Sequence, residues 1–337
     1  MQKTIFVVDD SLTNLAKAEE ALEKQYRVIT LMSVKKMQAA LEKITPDMIL
    51  LDIAMPEISG FEAMKQLKAS KLHADIPVIF LTALTDSYNE ALGIELGAVD
   101  FITKPFSEPV LLNRIRNHLN IDDLVHKRTE RLLQMNNSVV FTLADVIERR
   151  DTHASGHIER FPVLLRTLFD AMQARGVYTD DSGNWDTELF VAAALLHDVG
   201  KVTVPEAILN KPGKLTDEEF TAIKAHTTEG KRIIGQTIYK TGEAEFLLSA
   251  RFSAAYHHER WDGAGYPYGL KKTGIPLHGR IVAVIDVYDA LVNDRPYRKA
   301  MSHADAVGII KNEAGKHFDP AIVEVFCGIS DQLKAVE

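Results

Sequence analysis

The chain of 337 residues contains a single cysteine, Cys327, so no disulfide can form within it. A lone cysteine is typical of proteins from a reducing compartment. The apolar run after Lys3 is too short for a secretory signal peptide. No uncharged apolar stretch approaches the roughly 18 residues that a membrane-spanning helix needs. These absences predict a cytoplasmic protein without direct membrane insertion.

Charge and composition narrow the classes of protein further. The formal net charge is −8, and 46% of the residues are apolar while 26% are charged. The negative charge argues against binding to DNA, although it leaves room for a local basic pocket that binds a small anion. The composition is ordinary for a globular protein, and the length allows two domains with separate cores.

Residues 1–120 alternate short apolar runs with helical segments. Continuous apolar runs of this length predict parallel strands that are buried on both faces. In such a sheet the ligand site lies at the carboxyl ends of the strands. Five polar residues fall at these ends, namely Asp9, Asp10, Asp52, Thr82 and Lys104.

The three carboxylates of this set would repel one another unless a cation neutralised them. Oxygen ligands that leave room for water suit Mg²⁺. Lys104 could meet a phosphoryl group through its charge, and Thr82 could hydrogen-bond it. The alternative is that Asp9 and Asp10 only cap the next helix. The complete set at matching strand ends favours a functional site.

A long helical pattern runs from residue 108 to about residue 150, with no Gly or Pro after Pro109. It predicts a stiff connector at residues 121–140, between domains at 1–120 and 141–337. Coiled-coil pairing would make the protein a homodimer. The alternative is a solvated helix that packs on its own domain.

The second half shows helical periods and no clear strand pattern. Polar residues interrupt its apolar helices at His197, Asp198, His257, His258 and Asp286. Buried polar groups need partners, and a shared metal is the most economical one. Imidazole and carboxylate together are ligands of first-row transition metals. An adjacent His-Asp pair can also supply two metals, with the carboxylate bridging them.

Two further segments carry weaker signals. Gly263, Gly265 and Pro267 predict a tight loop where the backbone can approach a ligand, with an ordinary turn as the alternative. Arg295 and Arg298 are candidate phosphate clamps, with a solvated basic cluster as the alternative.

Residues 1–120 resemble a response-regulator receiver domain of flavodoxin-like topology, an α/β fold with a parallel five-stranded sheet. The resemblance rests on VVDDS at residues 7–11, LDIAMPEISG at residues 51–60 and TKPF at residues 103–106. It implies that Asp52 accepts phosphate from a cognate histidine kinase. A phosphoryl group brings about two negative charges and three acceptor oxygens, which can shift a two-state surface. The implied roles are Mg²⁺ binding for Asp9, Asp10 and Asp52, phosphoryl contact for Thr82 and Lys104, and a rotamer switch for Phe101.

Residues 141–337 resemble the HD-GYP family of cyclic dinucleotide phosphodiesterases, a branch of the all-α, metal-dependent HD-type phosphohydrolases. The resemblance rests on HDVGK at residues 197–201, PEAILNKPGKL at 205–215, HHERWDGAGYP at 257–267, DVYDAL at 286–291 and DRPYRK at 294–299.

The resemblance implies two divalent metals, bridged by Asp198 and a hydroxide, as the catalytic centre. The mixed ligands suit Fe, Mn, Zn or Ni better than Mg²⁺. The implied metal ligands are His197, Asp198, His226, His257, His258 and Asp286. The implied substrate contacts are Lys201, Arg295 and Arg298 to phosphate, with Gly265, Tyr266 and Pro267 shaping the pocket. The catalytic residues would be Asp198 and Lys201.

Some family members use the segment at residues 147–157 for a third metal. Glu148 could serve here, but the residue four positions later is Thr152, a poor ligand, so two metals are favoured. The family often has Tyr-Thr where this chain has His153-Ala154. That departure leaves the contacts to the nucleobases open.

We therefore expect a response regulator that hydrolyses cyclic di-GMP to a linear, 5′-phosphorylated dinucleotide, and possible further hydrolysis would give mononucleotides. Phosphorylation of Asp52 would modulate this activity. One alternative is a preference for cyclic GMP–AMP. The other is a non-catalytic cyclic dinucleotide receptor that acts through partner proteins, but the retained ligands and Gly-Tyr-Pro favour catalysis.

Overall fold

The computed structural model of the chain contains two compact units, Met1–Leu132 and Leu133–Glu337. Each unit has its own apolar core. The structure describes residues 2–70, 72–83, 87–150, 156–182, 185–294 and 299–334, except for the side chains of residues 87–90 and 126.

The first unit is built on one sheet. Its strands are β1 (Thr4–Val8), β2 (Arg27–Leu31), β3 (Met48–Asp52), β4 (Val78–Thr82) and β5 (Asp100–Thr103). Its helices are α1 (Leu12–Leu22), α2 (Val34–Leu41), α3 (Gly60–Ala69), α4 (Ser87–Glu95) and the start of α5 (Glu108–Glu148). The strand order is β2-β1-β3-β4-β5, and all neighbouring strands are parallel. The predicted five-stranded parallel sheet is confirmed.

Both faces of this sheet are covered. Phe6 of β1 packs into the core that contains residues of α2 and α3, whereas Ile5 and Val7 pack into the core that contains residues of α1 and α5. Every residue of β1, β3 and β4 is buried. This explains why these strands appear in the sequence as continuous apolar runs rather than as alternating patterns.

One helix, α5, extends over 41 residues, in agreement with the long helical pattern of the sequence. Leu111 and Ile115 belong to a core of the first unit, whereas Val140 and Ala144 belong to the core of the second. The predicted connector at residues 121–140 lies within this helix.

The second unit is helical. Its further helices are α6 (His157–Ala174), α7 (Thr179–Ser182), α8 (Thr187–Ala194), α9 (Glu206–Leu209), α10 (Asp217–Lys224), α11 (His226–Thr241), α12 (Glu245–Tyr256), α13 (Leu277–Val292), α14 (His303–Asn312), α15 (Pro320–Gly328) and α16 (Ser330–Lys334), with 3-10 turns at Val199–Thr203 and Lys272–Gly274. Among its described residues, the only extended pairing is an isolated bridge between Ala314 and Phe318. The predicted all-helical class is confirmed. Across the described chain, no helix combines the length and apolar character that crossing a membrane requires.

Candidate functional site

The first candidate site lies at the carboxyl ends of β1, β3 and β5. Lys104 Nζ is 2.6 Å from Asp9 Oδ2 and 2.8 Å from Asp52 Oδ1. Asp9, Asp10 and Asp52 each offer an oxygen within 4.8 Å of the others, which is a spacing that one cation can span. Burial raises the pKa of Asp52, and Asp9 adds to the rise, although Lys104 opposes it. The structure thus brings together the acidic residues and the lysine that the sequence singled out.

Two further residues of this site are buried. Thr82 ends β4, and its carbonyl accepts a hydrogen bond from the Lys104 backbone nitrogen at 2.7 Å. The Phe101 ring lies 5.5 Å from the Phe80 ring. A Cβ atom added to Gly93 of α4 would come within 2.3 Å of the Phe101 ring. Glycine at position 93 is therefore what allows Phe101 to occupy this place.

The second candidate site lies in the helical unit, where two groups of ligand-type side chains are neighbours. The rings of His197 and His257, one from each group, are 5.1 Å apart. Within each group, one ligand atom per residue lies within 4.8 Å of the others. The groups are His226, His257 and His258, and His157, His197 and Asp286.

Asp198 lies between these groups. Its Oδ1 atom is 3.3 Å from His226 Nε2 and 3.7 Å from His257 Nε2. Its Oδ2 atom is 3.6 Å from His197 Nε2 and 2.7 Å from Lys201 Nζ. Burial by itself would raise the pKa of Asp198, but Lys201 and the surrounding imidazoles outweigh burial and hold the pKa well below its usual value. An ionised carboxylate in this position can share its oxygens between two cations.

Backbone carbonyls orient three of these imidazoles. Each Nδ1 atom lies 2.7–2.9 Å from a carbonyl oxygen, in the pairs His197–Ala194, His226–Ile223 and His257–Ser253. Because a carbonyl only accepts, Nδ1 carries the proton and Nε2 presents a lone pair. The Nε2 atoms of His226 and His257 are 3.3 Å apart. Two lone pairs that face each other at this distance repel, and a bound cation would remove that repulsion.

The protonation states also suit a metal. Burial lowers the pKa of His226, takes that of His257 well below its usual value and takes that of His258 to about 3. Neutral imidazole is the form that binds metals. In the described part of the chain, the buried atoms His197 Nε2 and Asp198 Oδ1 have no hydrogen-bond partner. A metal would satisfy both atoms, so the residues present fit the divalent metals that the sequence predicted.

The ligand set predicted from the sequence lacks His157, which the structure groups with His197 and Asp286. His157 begins α6 and precedes the buried residues Phe161 and Leu164 by four and seven positions. That spacing places a polar residue on an apolar helix face, which is the signal that could have identified it.

Asp289, one turn after Asp286 on α13, orients His157. Its buried carboxylate lies 2.9 Å from His157 Nδ1 and accepts a 2.9 Å hydrogen bond from Arg160 Nε. Burial by itself would lower the pKa of His157, but the contact with Asp289 and the charge of Asp286 outweigh burial and raise the pKa above its usual value. With Nδ1 occupied by Asp289, Nε2 of His157 is left to face the other ligands.

Gly200 allows the turn that follows Asp198 to approach helix α11, which begins at His226. A Cβ atom at this position would lie 1.9 Å from the carbonyl oxygen of His226. The 3-10 turn at Val199–Thr203 can therefore approach α11 this closely only with glycine at position 200. The approach brings Asp198 against His226.

The Gly-Tyr-Pro segment folds back onto His258. A Cβ atom at Gly265 would lie 2.6 Å from the His258 carbonyl oxygen, and the Tyr266 ring is 4.8 Å from the His258 ring. The buried carboxylate of Glu259 accepts hydrogen bonds from the backbone nitrogens of Tyr268 and Leu270 at 2.7 and 3.0 Å. Burial raises the pKa of Tyr266, and the nearby carboxylates add to the rise, so its hydroxyl stays protonated. No role was predicted for Glu259 from the sequence, and in the structure its hydrogen bonds hold this loop.

Glu148 has a different setting from the metal ligands. Its two carboxylate oxygens accept hydrogen bonds from the backbone nitrogens of His157 and Ile158, both at 3.0 Å, at the start of α6. Burial raises its pKa, against the effect of His157. Thr152, His153 and Ala154 lie outside the described residues. The third metal therefore stays a prediction from the sequence.

The substrate contacts are described in part. Lys201 and Glu148 line one small cavity together with His157, His197 and Asp198. Arg295 and Arg298, the predicted phosphate clamps, lie outside the described residues, together with the two residues between them.

Comparisons with known proteins agree with this organisation. The HD domain family matches residues 123–322, and the response regulator receiver domain family matches residues 5–116. A probable cyclic di-GMP phosphodiesterase of Vibrio cholerae is 39% identical over 96% of this chain and 77% of its own length. The cyclic di-GMP phosphodiesterase response regulator RpfG of Xanthomonas campestris is 34% identical over 86% of this chain and 77% of its own length. The 3′3′-cGAMP-specific phosphodiesterase 2 of Vibrio cholerae is 31% identical over 61% of this chain and 37% of its own length.

The fold and the two sites define a response regulator whose helical unit is a metal-dependent hydrolase. The chain belongs to the HD domain family of metal-dependent phosphodiesterases, and it also carries a response regulator receiver domain.

Proposed function

We propose that the helical unit hydrolyses a cyclic dinucleotide, with cyclic di-GMP as the principal substrate and a linear 5′-phosphorylated dinucleotide as the first product. The observation that carries this proposal is the position of Asp198, with Oδ1 near His226 and Oδ2 near His197, between two groups of ligands. The names of the two relatives that align with most of the chain support cyclic di-GMP as the substrate.

Each residue of the site has a proposed task. Two bound Fe, Mn, Zn or Ni ions would supply a nucleophile from water near neutral pH and neutralise charge on the phosphodiester. Asp198 would contact both ions, and Lys201, 2.7 Å from Asp198, would attract the substrate phosphate. Tyr266, with a protonated hydroxyl, would line the pocket. The ligands would be the six predicted residues together with His157.

A preference for cyclic GMP–AMP is the second candidate. A relative of 31% identity carries that specificity in its name, and its similarity covers 61% of this chain. Cyclic GMP–AMP differs from cyclic di-GMP in one base, so the metal centre would treat both phosphodiesters alike. The choice between them would depend on contacts to the bases.

The receiver unit would control this activity. We propose that a cognate histidine kinase phosphorylates Asp52 and that Asp9, Asp10 and Asp52 hold Mg²⁺. The phosphoryl group would draw Lys104 away from Asp9, to which it is bound at 2.6 Å, and would engage Thr82. Phe101, which is buried against Gly93, would change rotamer in response.

Helix α5 supports a homodimer with residues 121–140 as the connector between domains at 1–120 and 141–337. A stripe of side chains, each more than half exposed, follows a heptad spacing of 4, 7, 3, 4 and 7 residues: Ile121, Val125, Leu132, Met135, Val139 and Val146. Val125, Val139 and Val146 share one heptad position with Leu132, while Arg128 and Thr142 interrupt the other position. Because valine at one core position favours parallel two-stranded coiled coils, the partner would be a second copy of α5.

The activity test is anaerobic turnover of both dinucleotides by the full chain loaded with Mn²⁺ or Fe²⁺, with products separated by chromatography. Linear product is expected, and the ratio of the two rates identifies the preferred substrate. Binding of both nucleotides without product would contradict catalysis and favour a receptor.

The dimer test is sedimentation of the full chain. Val139→Glu places a charge within the stripe and should give a monomer, whereas Val163→Glu, at an exposed position of α6 outside the stripe, should leave the dimer intact. A wild-type monomer at micromolar concentration would contradict the proposal.

A further inference from the structure

Lys224 connects the Gly-Tyr-Pro loop with helix α10. Its ammonium lies 4.9 Å from the centre of the Phe220 ring and 5.9 Å from the centre of the Tyr266 ring. Tyr266 in turn lies 4.8 Å from His258, one of the candidate metal ligands. A cation and two aromatic rings therefore form a surface beside the metal centre.

The position of this surface is fixed by the local structure of α10. Thr216 and Glu219 form a reciprocal capping box at the start of the helix, and Glu219 pairs with Lys211 at 2.6 Å. Phe220 and Lys224 are four residues apart, so they lie on the same helix face. Lys224 also precedes the ligand His226 by two residues, so that α10 holds the surface at a set distance from the site.

The chemistry of this surface suits a purine base. Phe220 is 47% exposed, and an exposed aromatic ring is a stacking partner for a base. A lysine ammonium is a donor only, which matches the O6 and N7 acceptors of guanine. Adenine presents an amino group in place of O6, and that group would oppose the ammonium.

We infer that Phe220 and Lys224 form a base-binding subsite that prefers guanine over adenine in the nucleotide lying next to Tyr266. This inference rests on the proposed hydrolysis of a cyclic dinucleotide. Phe220 supplies the stacking face and affects guanine and adenine alike, whereas Lys224 supplies the discrimination between them.

The test uses the full-length, Mn²⁺-loaded protein and its Lys224→Met variant. The readouts are turnover of cyclic di-GMP and the inhibition constants of cyclic di-GMP and cyclic di-AMP against hydrolysis of bis(p-nitrophenyl) phosphate, which has no base. Lys224→Met should raise the inhibition constant of cyclic di-GMP by about tenfold and change that of cyclic di-AMP by less than about twofold. Hydrolysis of bis(p-nitrophenyl) phosphate should not change. Lys240→Met, at an exposed position late in α11, is the matched control.

A second pair of variants addresses the stacking face. Phe220→Leu should raise the inhibition constants of both dinucleotides by about tenfold, and Phe220→Trp should retain wild-type binding. Equal losses for both dinucleotides in Lys224→Met would overturn the inference while leaving the proposed function intact. If the wild-type protein hydrolyses bis(p-nitrophenyl) phosphate but neither hydrolyses nor binds a cyclic dinucleotide, the proposed function and the inference fail together.

Discussion

At the sheet edge three carboxylates lie together, and two of them, those of Asp9 and Asp52, contact Lys104. In the helical unit two carboxylates, those of Asp198 and Asp286, lie among imidazoles, and Lys201 contacts Asp198. Both sites combine a lysine with the ligands of a cation, and both suit a phosphate-containing reactant. They differ in how the protein provides the negative charge. At the sheet edge all three ligands are carboxylates, which concentrates the negative charge. In the helical site most ligands are neutral imidazole nitrogens, so the negative charge is smaller relative to the number of ligands.

This difference has consequences for metal choice and for burial. Oxygen ligands suit Mg²⁺, which usually keeps several of its waters, and Asp10 at that site is exposed. Imidazoles bind transition metals, and burial keeps His257 and His258 neutral so that they need not lose a proton first. One chain thus holds one ligand set that suits Mg²⁺ and another that suits transition metals.

The largest expected effect comes from removing the charge of Asp198, the proposed bridge between two metals. Asp198→Asn should lower turnover of cyclic di-GMP by about 1000-fold or more, because one oxygen could no longer neutralise each of two metals. Phosphorylation of the receiver by acetyl phosphate should not change. Metal content by mass spectrometry and turnover by chromatography check this. A variant that keeps two metals and wild-type turnover would show that Asp198 is not the bridge.

A smaller effect is expected when the orientation of one ligand is lost. Asp289→Asn should weaken metal binding at the group with His157 by about 10–100-fold, because the carboxylate holds that imidazole with Nε2 toward the ligands. Competition with a metal chelator measures the affinity. Asp262→Asn is the control, since that carboxylate pairs with Arg260 at the surface. If Asp289→Asn and Asp262→Asn bind metal with equal affinity, Asp289 does not position His157.

The pH dependence separates the two groups within the helical site. Burial lowers the pKa of His157, but Asp289 and Asp286 outweigh burial and raise it above its usual value, so the protonated form competes with a metal as the pH falls, at about tenfold in affinity per pH unit. The pKa of His258 is about 3, so His258 stays neutral over the same range. Equilibrium dialysis against Mn²⁺ should show the stoichiometry falling from two to one between about pH 7.5 and 5.5. Simultaneous loss of both metals would contradict this assignment.

The smallest effect on hydrolysis is expected at the sheet edge. Asp52→Asn should prevent phosphorylation by acetyl phosphate while changing the unstimulated turnover by less than about threefold, because Asp52 contributes to the other site only through its phosphorylated state. Phos-tag electrophoresis and turnover assays with and without acetyl phosphate check both parts. A response to acetyl phosphate that persists in the variant would mean that another residue accepts the phosphate.

The sheet-edge site could be read almost completely from the sequence. In a parallel sheet the strand ends are neighbours by construction, so Asp9, Asp52 and Lys104 had to converge once their strands were recognised. At the helical site the sequence identified individual ligands but not how they come together. His197 and Asp286 could be identified as polar intrusions into apolar helices, but no repeating geometry brings separate helix ends together.

The amino-acid sequence by itself determined the two fold classes. The pattern of apolar residues within each strand and each helix is a local property of the chain. It also determined most candidate ligands, because their types and neighbours are local as well. Only the tertiary structure decided that His157 joins His197, that Asp289 orients it and that Lys224 meets Tyr266. These contacts depend on how helices distant in sequence pack, and packing is set by the whole core rather than by any one segment.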